Sequence, residues 1–190
     1  PAVFLDRDGT LIAENGYLCR AEDLRLLPGA ARGVRLLREA GFSVILVTNQ
    51  SAVARGLLTE GQLAEINHRL QQLLGQERAV LDAVYYCPHH PGGIGPYRKF
   101  CFCRKPEPGM LLRAALEHSL CLSSSFMMGD KLTDIIAGRR AGCRTVLVRT
   151  GYGEQELARI ERERVTPDFV MEDLERAARL ISAARAGEVR

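Results

Sequence analysis

The stretch VFLDRDGTLI, residues 3–12, joins an apolar run to a charged one. Three apolar residues typical of a buried strand are followed at once by Asp6, Arg7 and Asp8. Side chains two positions apart on an extended chain share a face, so Asp6 and Asp8 can point together while Arg7 turns away. Neighbouring carboxylates repel each other unless a cation lies between them or one is protonated. The stretch therefore predicts either a divalent-cation site at a strand end or a turn that an aspartate side chain caps.

The bulk composition is that of a globular chain. Its 190 residues are 46% hydrophobic and 26% charged, and the net charge of +3 is too small to indicate a nucleic-acid or membrane partner. No apolar stretch approaches the roughly 18–20 residues of a membrane span, and the first residues lack the basic-then-apolar pattern of an export signal. We expect one domain over residues 1–190, monomeric and cytoplasmic.

Short apolar runs alternate along the chain with segments of helical period, which is typical of βαβ units and a parallel sheet. The pattern places strands near residues 2–6, 42–48, 83–87, 125–129, 144–148 and 168–171. Helices are predicted from Pro28, over 59–74, from Pro108, after Asp130, and near 154–164 and 173–186, the last two charged and on the outside. The fold class predicted is α/β.

Polar residues stand where four of these strands end, namely Asp6, Thr48-Asn49-Gln50, Cys87 and Gly129-Asp130-Lys131. In an open α/β sheet, ligands bind beyond the carboxyl ends of the strands. A ligand site is therefore predicted at that edge of the sheet.

Four short motifs follow one another in a recognisable order. They are DRDGT (residues 6–10), ILVTNQS (45–51), Lys105 within CRKPEPGM, and MMGDKLTDI (127–135). Together they resemble the four motifs of the haloacid dehalogenase superfamily, and the resemblance runs from residue 3 to about residue 150. It implies a Rossmann-like parallel sheet with helices on both faces and a Mg²⁺-dependent site for phosphoryl transfer.

The resemblance assigns a role to each motif residue. Asp6 would be the nucleophile that forms an aspartyl-phosphate, and Asp8 would protonate the leaving alkoxide and then activate water. An acid at the position of Asp8 implies a phosphatase and not a dehalogenase. Thr48 and Lys105 would bind the transferring phosphoryl oxygens, where negative charge must be stabilised.

The same resemblance implies a magnesium site. Its ligands would be the Asp6 carboxylate, the backbone carbonyl of Asp8 and the Asp130 carboxylate, because Mg²⁺ prefers oxygen ligands and usually takes only one or two carboxylates. Asp134 lies one helical turn beyond Asp130, and we expect it beside the ligands in a supporting position.

A second metal is indicated by CPHHPGGIGPYRKFCFC, residues 87–103. Cys87 with His89, and Cys101 with Cys103, form two i, i+2 pairs that can each present two ligands on one face of an extended segment. Four such ligands make a closed, structural Zn²⁺ site, and parity directs His90 away from it. The alternative is a set of buried thiols without metal.

The zinc loop leads directly into Arg104 and Lys105. This arrangement resembles the zinc-containing members of the superfamily that act on heptose bisphosphates, and a related domain that acts on histidinol phosphate. It implies removal of the C7 phosphate of a heptose bisphosphate, on the route to nucleotide-activated heptose for bacterial lipopolysaccharide. Substrate contacts would come from Glu14, Asn15, Gly16, Tyr17, Asn49, Gln50, Ser51, Arg104 and Lys131. Ala52 stands where the resemblance leads us to expect Gly.

The spacing of the motifs leaves no room for a separate cap domain, since one helix and short loops fill each interval. The site would be open to a small phosphosugar. The alternatives are a histidinol-phosphate phosphatase, an open-site phosphatase for nucleic-acid or protein phosphate, and a non-catalytic binding module held together by zinc.

Overall fold

The computed structural model of the protein describes residues 1–187, which form a six-stranded sheet in the order β3-β2-β1-β4-β5-β6. The strands are β1 (Ala2–Leu5), β2 (Ser43–Asn49), β3 (Ala83–Cys87), β4 (Phe126–Gly129), β5 (Arg144–Val148) and β6 (Phe169–Met171). Every pairing is parallel, which confirms the predicted fold class. The predicted domain of residues 1–190 extends to residues 188–190, which lie outside the described part.

The helices are α1 (Ala30–Glu39), α2 (Ser51–Ala54), α3 (Glu60–Gln76), α4 (Gly109–Glu117), α5 (Leu132–Ala141), α6 (Gly153–Glu163) and α7 (Leu174–Ala186). Helix α2 was not predicted, because four residues are too few to show a helical period. Among residues 1–187, each helix is too short or too polar to cross a lipid bilayer.

Both faces of the sheet are covered. In β1, Val3 and Leu5 belong to the apolar cluster that includes the buried faces of α1, α3 and α7, whereas Phe4 belongs to the one that includes α4 and part of α5. This explains why the central strands read as continuous apolar runs and do not alternate.

Helix α7 lies closer to the core than its charged sequence indicates. Over residues 174–185, where burial is described, four residues are buried, namely Leu174, Ala177, Ala178 and Ile181. They recur at helical spacing on one face that packs against α1, while the arginines and glutamates occupy the opposite face. The helix was predicted on the outside of the fold; its charged face lies there, and its apolar face packs against α1.

The strand order reverses direction between β1 and β4. The chain runs from β1 outwards to β2 and β3, and then returns to β4 on the other side of β1. In doubly wound sheets, such a reversal opens a crevice at the carboxyl ends of the two strands. Asp6 directly follows β1 and Asp130 directly follows β4, so both carboxylates stand at this crevice.

Helix α5 packs closely on the sheet at Gly138. A Cβ added there would lie 2.6 Å from Cβ of Met127 and 2.8 Å from Cγ2 of Thr145. We expect Gly138→Ala to lower the free energy of unfolding in urea by about 1–3 kcal/mol, because neither neighbouring atom can swing away. Gly75→Ala in α3 is the matched control, since its Cβ would meet nothing within 4 Å. The control should gain about 0.5–1 kcal/mol from helix propensity. Equal effects at the two positions would contradict the close packing.

Candidate active site

The DRDGT motif forms a tight loop at the end of β1. The amides of Leu11 and Ile12 donate to the carbonyl of Arg7 at 2.9 and 3.0 Å, and the amide of Gly9 donates to Ile12 at 2.8 Å. Gly9 has a φ of +84°, a conformation that favours glycine. The loop therefore holds Asp6 and Asp8 at the crevice by backbone hydrogen bonds.

Three carboxylates and one ammonium group meet beneath this loop. Asp6, Asp130 and Asp134 are buried, and each offers an oxygen within 4.8 Å of the others. Nζ of Lys105 lies 2.8 Å from Asp6 Oδ1 and 2.7 Å from Asp134 Oδ1, and donates to the carbonyl of Val47 at 2.8 Å. Asp134 was predicted beside the metal ligands, and the structure places it within their cluster.

The pKa values of the three acids diverge. Burial, reinforced by Asp6 and Asp134, raises the pKa of Asp130 to about 8. Burial also raises that of Asp134, to about 6, against the opposing effect of Lys105. For Asp6, burial acts in the same direction, but Lys105 and Lys131 outweigh it and the pKa falls below its usual range. Among these three acids, Asp6 is therefore the one whose ionised form the protein favours.

The cluster fits a hard divalent cation. Oδ2 of Asp130 accepts a hydrogen bond from the amide of Tyr152 at 2.8 Å, while Oδ1 is buried without a hydrogen-bond partner. A buried oxygen in that state is costly unless a cation or a proton satisfies it. Carboxylate oxygens are ligands that suit Mg²⁺. Whether the carbonyl of Asp8 joins them stays a prediction.

Arg7 does not turn away from the site as its position between two aspartates suggested. Its side chain is buried and donates to both oxygens of Asp8, each at 3.1 Å. It also donates to Gln50 at 2.9 Å and to Asn67 at 3.2 Å. The strand-like alternation ends with β1, and the tight loop turns Arg7 and Asp8 towards each other.

The residues after β2 connect the neighbouring loops. Nε2 of Gln50 donates to Asp8 at 2.9 Å and to the buried hydroxyl of Thr48 at 2.8 Å. The side-chain amide of Asn49 donates to the carbonyl of Lys105 at 2.9 Å and accepts from its backbone amide at 3.0 Å. The second motif thus positions both the proposed acid and the proposed phosphate-binding lysine.

A cavity of about 470 Å³ is lined by Lys105, which contacts the acids, whereas Asp6, Thr48 and Asp130 are not among its lining residues. Of the predicted site residues, its walls include Asp8, Glu14, Gly16, Tyr17, Asn49, Gln50, Ser51, Arg104, Lys105 and Lys131. Asn15 is exposed and does not line it. Lining residues that were not predicted include Arg7, Thr133 and Tyr152.

The loop of residues 14–17 is held over one side of this cavity. Glu14 pairs with Nζ of Lys131 at 2.8 Å and accepts from the amide of Gly16 at 2.9 Å. The same ammonium group stands 4.8 Å from the centre of the Tyr152 ring, within cation–π distance. Lys131 therefore joins this loop to the start of α5.

The four predicted zinc ligands converge. Sγ of Cys103 lies 2.8 Å from Sγ of Cys87 and 2.7 Å from Sγ of Cys101, and 3.6 Å from Nδ1 of His89. His90 instead accepts a hydrogen bond from the amide of Gly92. All six cysteines of the chain are free thiols. Three thiol sulfurs and one imidazole nitrogen are a donor set that fits structural Zn²⁺.

Contacts outside the cluster also fix the zinc loop. The carboxylate of Glu60, at the start of α3, accepts from the hydroxyls of Tyr86 and Tyr97, each at 2.6 Å. The backbone amide of Ile94 donates a hydrogen bond to the carbonyl of Ala54 in α2 at 2.7 Å. The sequence did not reveal Glu60, because a lone glutamate at a helix start ordinarily signals only a favourable interaction with the helix dipole.

A doubly wound parallel sheet with an Asp-x-Asp loop after its first strand, and further acids after the strand beside it, defines a phosphatase fold of the haloacid dehalogenase type. The HAD-hydrolase-like family model matches residues 102–177. The crystal structure of the D,D-heptose 1,7-bisphosphate phosphatase from B. bronchiseptica, complexed with magnesium and phosphate, superposes with a TM-score of 0.84. It is 34% identical, over 95% of this chain and 98% of that one.

Relatives of known name cover most of the chain. The D-glycero-D-manno-heptose-1,7-bisphosphate 7-phosphatase of Thermosynechococcus vestitus is 46% identical over 186 residues, 95% of each chain. The D-glycero-beta-D-manno-heptose-1,7-bisphosphate 7-phosphatase of Escherichia coli K12 is 43% identical over 153 residues, 80% of each chain. The chain belongs to the D-glycero-D-manno-heptose 1,7-bisphosphate 7-phosphatase family of the haloacid dehalogenase superfamily.

We expect Mg²⁺ binding to release protons near neutral pH, because burial and the neighbouring acids raise the pKa of Asp130 to about 8. Mg²⁺ affinity should fall by up to about tenfold per pH unit below that value. Without the ion, the folded state keeps a proton that the unfolded carboxyl, with its pKa near 3.8, has lost. The contribution of Asp130 to stability should therefore decrease as pH rises from about 4 to about 8.

Calorimetric Mg²⁺ titration in two buffers of different ionisation enthalpy measures this proton release. Asp130→Asn is the control that removes both the ligand and its proton. A Mg²⁺ affinity that stays constant as pH is lowered from 8 to 6 would contradict the linkage.

Proposed function

We propose that this chain is a Mg²⁺-dependent phosphatase that removes the C7 phosphate of D-glycero-D-manno-heptose 1,7-bisphosphate. The observation that carries the proposal is the 46% identity, over 95% of each chain, to a relative of that name. The cavity beside Lys105, with Arg104 and Lys131 also on its walls, supports a bisphosphorylated substrate. We place the reaction on the route to nucleotide-activated heptose for lipopolysaccharide.

Asp6 is the proposed nucleophile. An oxygen of its carboxylate attacks phosphorus in line with the leaving C7 oxygen, so a new P–O bond to Asp6 forms as the bond to the sugar breaks. Lys105, which holds this carboxylate at 2.8 Å, lies where the negative charge of the phosphoryl group must be stabilised. The buried Thr48 hydroxyl is the proposed second donor to the phosphoryl oxygens.

Asp8 is the proposed acid and base. Its side chain is 16% exposed at the cavity wall, held by Arg7 and by Gln50. It gives its proton to the departing C7 alkoxide. It then takes a proton from the water that attacks the aspartyl-phosphate, which breaks the bond to Asp6 and releases inorganic phosphate.

Magnesium would be held by Asp6, Asp130 and the carbonyl of Asp8, with Asp134 adjacent. When bound, it neutralises charge on the phosphoryl oxygens. The protein's own contribution is to keep Asp6 ionised and to leave one oxygen of Asp130 without a competing hydrogen bond.

Arg104 is the proposed contact of the distal phosphate. Its guanidinium group is half-buried at the cavity wall and donates to the carbonyl of His89 at 3.2 Å. Among residues 1–187, no carboxylate forms an ion pair with it. A planar guanidinium with free donors suits bidentate binding of phosphate. Glu14, Gly16, Tyr17, Ser51 and Lys131 are proposed to line the sugar.

The charge of the cavity separates the candidate substrates. Histidinol phosphate carries an ammonium group on the carbon next to its phosphate-bearing CH2 and an imidazole at the far end, so it offers no second anion for Arg104 to bind. A sugar bisphosphate carries a second anion at that end. A non-catalytic binding module held together by zinc is disfavoured, because the relatives of this chain are named as phosphatases.

Phosphate release from a small panel tests this specificity. We expect kcat/KM for one or both anomers of heptose 1,7-bisphosphate to exceed that for histidinol phosphate and fructose 1,6-bisphosphate by about 100-fold or more. Asp6→Asn, which keeps the size of the side chain, should release no phosphate above background while remaining folded. Preference for histidinol phosphate would overturn the substrate, and turnover by Asp6→Asn would overturn the nucleophile.

Zinc is proposed as a structural ion that fixes the loop leading to Arg104 and Lys105. The parent protein should contain about one zinc per chain. Cys101→Ser should lose it, with a lower melting temperature and a KM raised by about tenfold. Cys121→Ser is the matched control, since this exposed cysteine lies outside the cluster. Stoichiometric zinc in Cys101→Ser, measured by elemental analysis, would remove the proposed site.

The single domain, the monomeric state, the cytoplasmic location and the lack of a nucleic-acid partner stay predictions of the sequence. The substrate partner proposed here is a small phosphosugar.

A further inference from the structure

Residues 150–152, which we name the β5–α6 turn, touch the carboxylate cluster although they carry no charged side chain. We propose that this turn positions Asp130 for cation binding, and that Thr150 and Gly151 are positioning residues of the metal site. The inference rests on the proposed Mg²⁺ site and adds to it a part of the chain that the four motifs do not include.

The first contact fixes one oxygen of Asp130. The amide of Tyr152 donates to Oδ2 at 2.8 Å, while Oδ1 remains buried without a partner. The hydrogen bond opposes rotation of the carboxylate about its Cβ–Cγ bond. The turn therefore fixes the direction in which the free oxygen is presented to a cation.

The second contact is a close approach of two backbones. A Cβ on Gly151 would stand 2.5 Å from Cα of Gly9 and 3.0 Å from Cγ of Asp130. A Cβ on Gly9 would stand 2.6 Å from the same Cγ. Both glycines have positive φ, +58° for Gly151 and +84° for Gly9. The Asp130 carboxylate is thus enclosed between two glycine backbones that no larger residue could replace without displacing it.

The third contact joins loops from strands that are not neighbours. The hydroxyl of Thr150, after β5, donates to the carbonyl of Gly9, after β1, at 2.6 Å. Strand β4 lies between β1 and β5 in the sheet, so this hydrogen bond passes over the end of the strand that carries Asp130. It ties the loop that holds Asp6 to the turn that holds Asp130.

The turn is also linked to α5, which carries Asp134. Glu156, in the first turns of α6, accepts from the amide of Leu132 at 2.9 Å. The turn and α6 thereby contact the loops of all three acids. Groups behind a metal ligand set its orientation, and their loss typically weakens metal affinity by about 10–100-fold. Here the orienting groups are a peptide N–H, a threonine hydroxyl and the space that glycine leaves.

The test measures Mg²⁺ binding by calorimetry on the full, zinc-loaded chain without substrate. We expect Gly151→Ala to raise the Mg²⁺ Kd by about 10–100-fold, and Thr150→Val by about tenfold. Thr150→Ser keeps the hydroxyl and should restore the parent Kd to within about threefold. Gly142→Ala is the matched control, because Gly142 has a φ of +84° but nothing within 4 Å of its Cβ position.

A second readout separates positioning from simple destabilisation. The melting temperature of each variant is measured with and without saturating Mg²⁺. Gly142→Ala should lower the melting temperature through a similar backbone strain, yet keep the full rise that Mg²⁺ induces. Gly151→Ala and Thr150→Val should lose most of that rise.

A folded Thr150→Val that binds Mg²⁺ as the parent does would overturn the proposal. If Gly151→Ala does not fold, the comparison of Thr150→Val with Thr150→Ser tests the proposal. A parent chain that binds no Mg²⁺ would overturn both the metal site and the role of the turn. A parent that binds Mg²⁺ but releases no phosphate from heptose bisphosphate would overturn only the proposed substrate.

Discussion

The contact on which the rest of the site depends is the buried ammonium group of Lys105 between Asp6 and Asp134. Burying a charge is costly unless opposite charges and hydrogen bonds compensate for it, and here two carboxylates and a backbone carbonyl do so. One ammonium group cannot neutralise three carboxylates, so Asp130 holds a proton near neutral pH unless a cation takes its place. The buried oxygen of Asp130 that lacks a hydrogen-bond partner makes the cluster a place for a divalent cation.

The zinc loop and the second motif both serve to place this lysine. Lys105 follows the last cysteine of the loop by two positions, and Asn49 binds its backbone from the end of β2. The cluster of three cysteines and His89 and the carboxylate of Glu60 hold the loop from its two sides. The proposed zinc ion would therefore act on the reacting atoms through the position of Lys105, while Arg104 beside it faces the cavity.

Much of the fold and of the site was predictable, because the pattern behind it is local. Apolar runs gave the strands, and polar residues at their ends gave Asp6, Thr48 and Asp130. The orientation of Arg7 was not predictable, because strand parity ends where β1 ends and a loop begins. The distance of Asn15 from the cavity depends on the path of an irregular loop, and helix α2 has too few residues to show a period.

The β5–α6 turn shows why the remaining residues were missed. In a sequence, site residues are recognisable by side chains that react or bind metal. Thr150 and Gly151 carry no such signal. Gly151 acts through the Cβ that it lacks and Thr150 through a hydrogen bond to a backbone 141 positions away. Such constraints exist only once β1, β4 and β5 lie side by side. Three acids that repel one another still need a rigid frame to stay close, and these backbones supply it without adding a negative charge that would raise the repulsion.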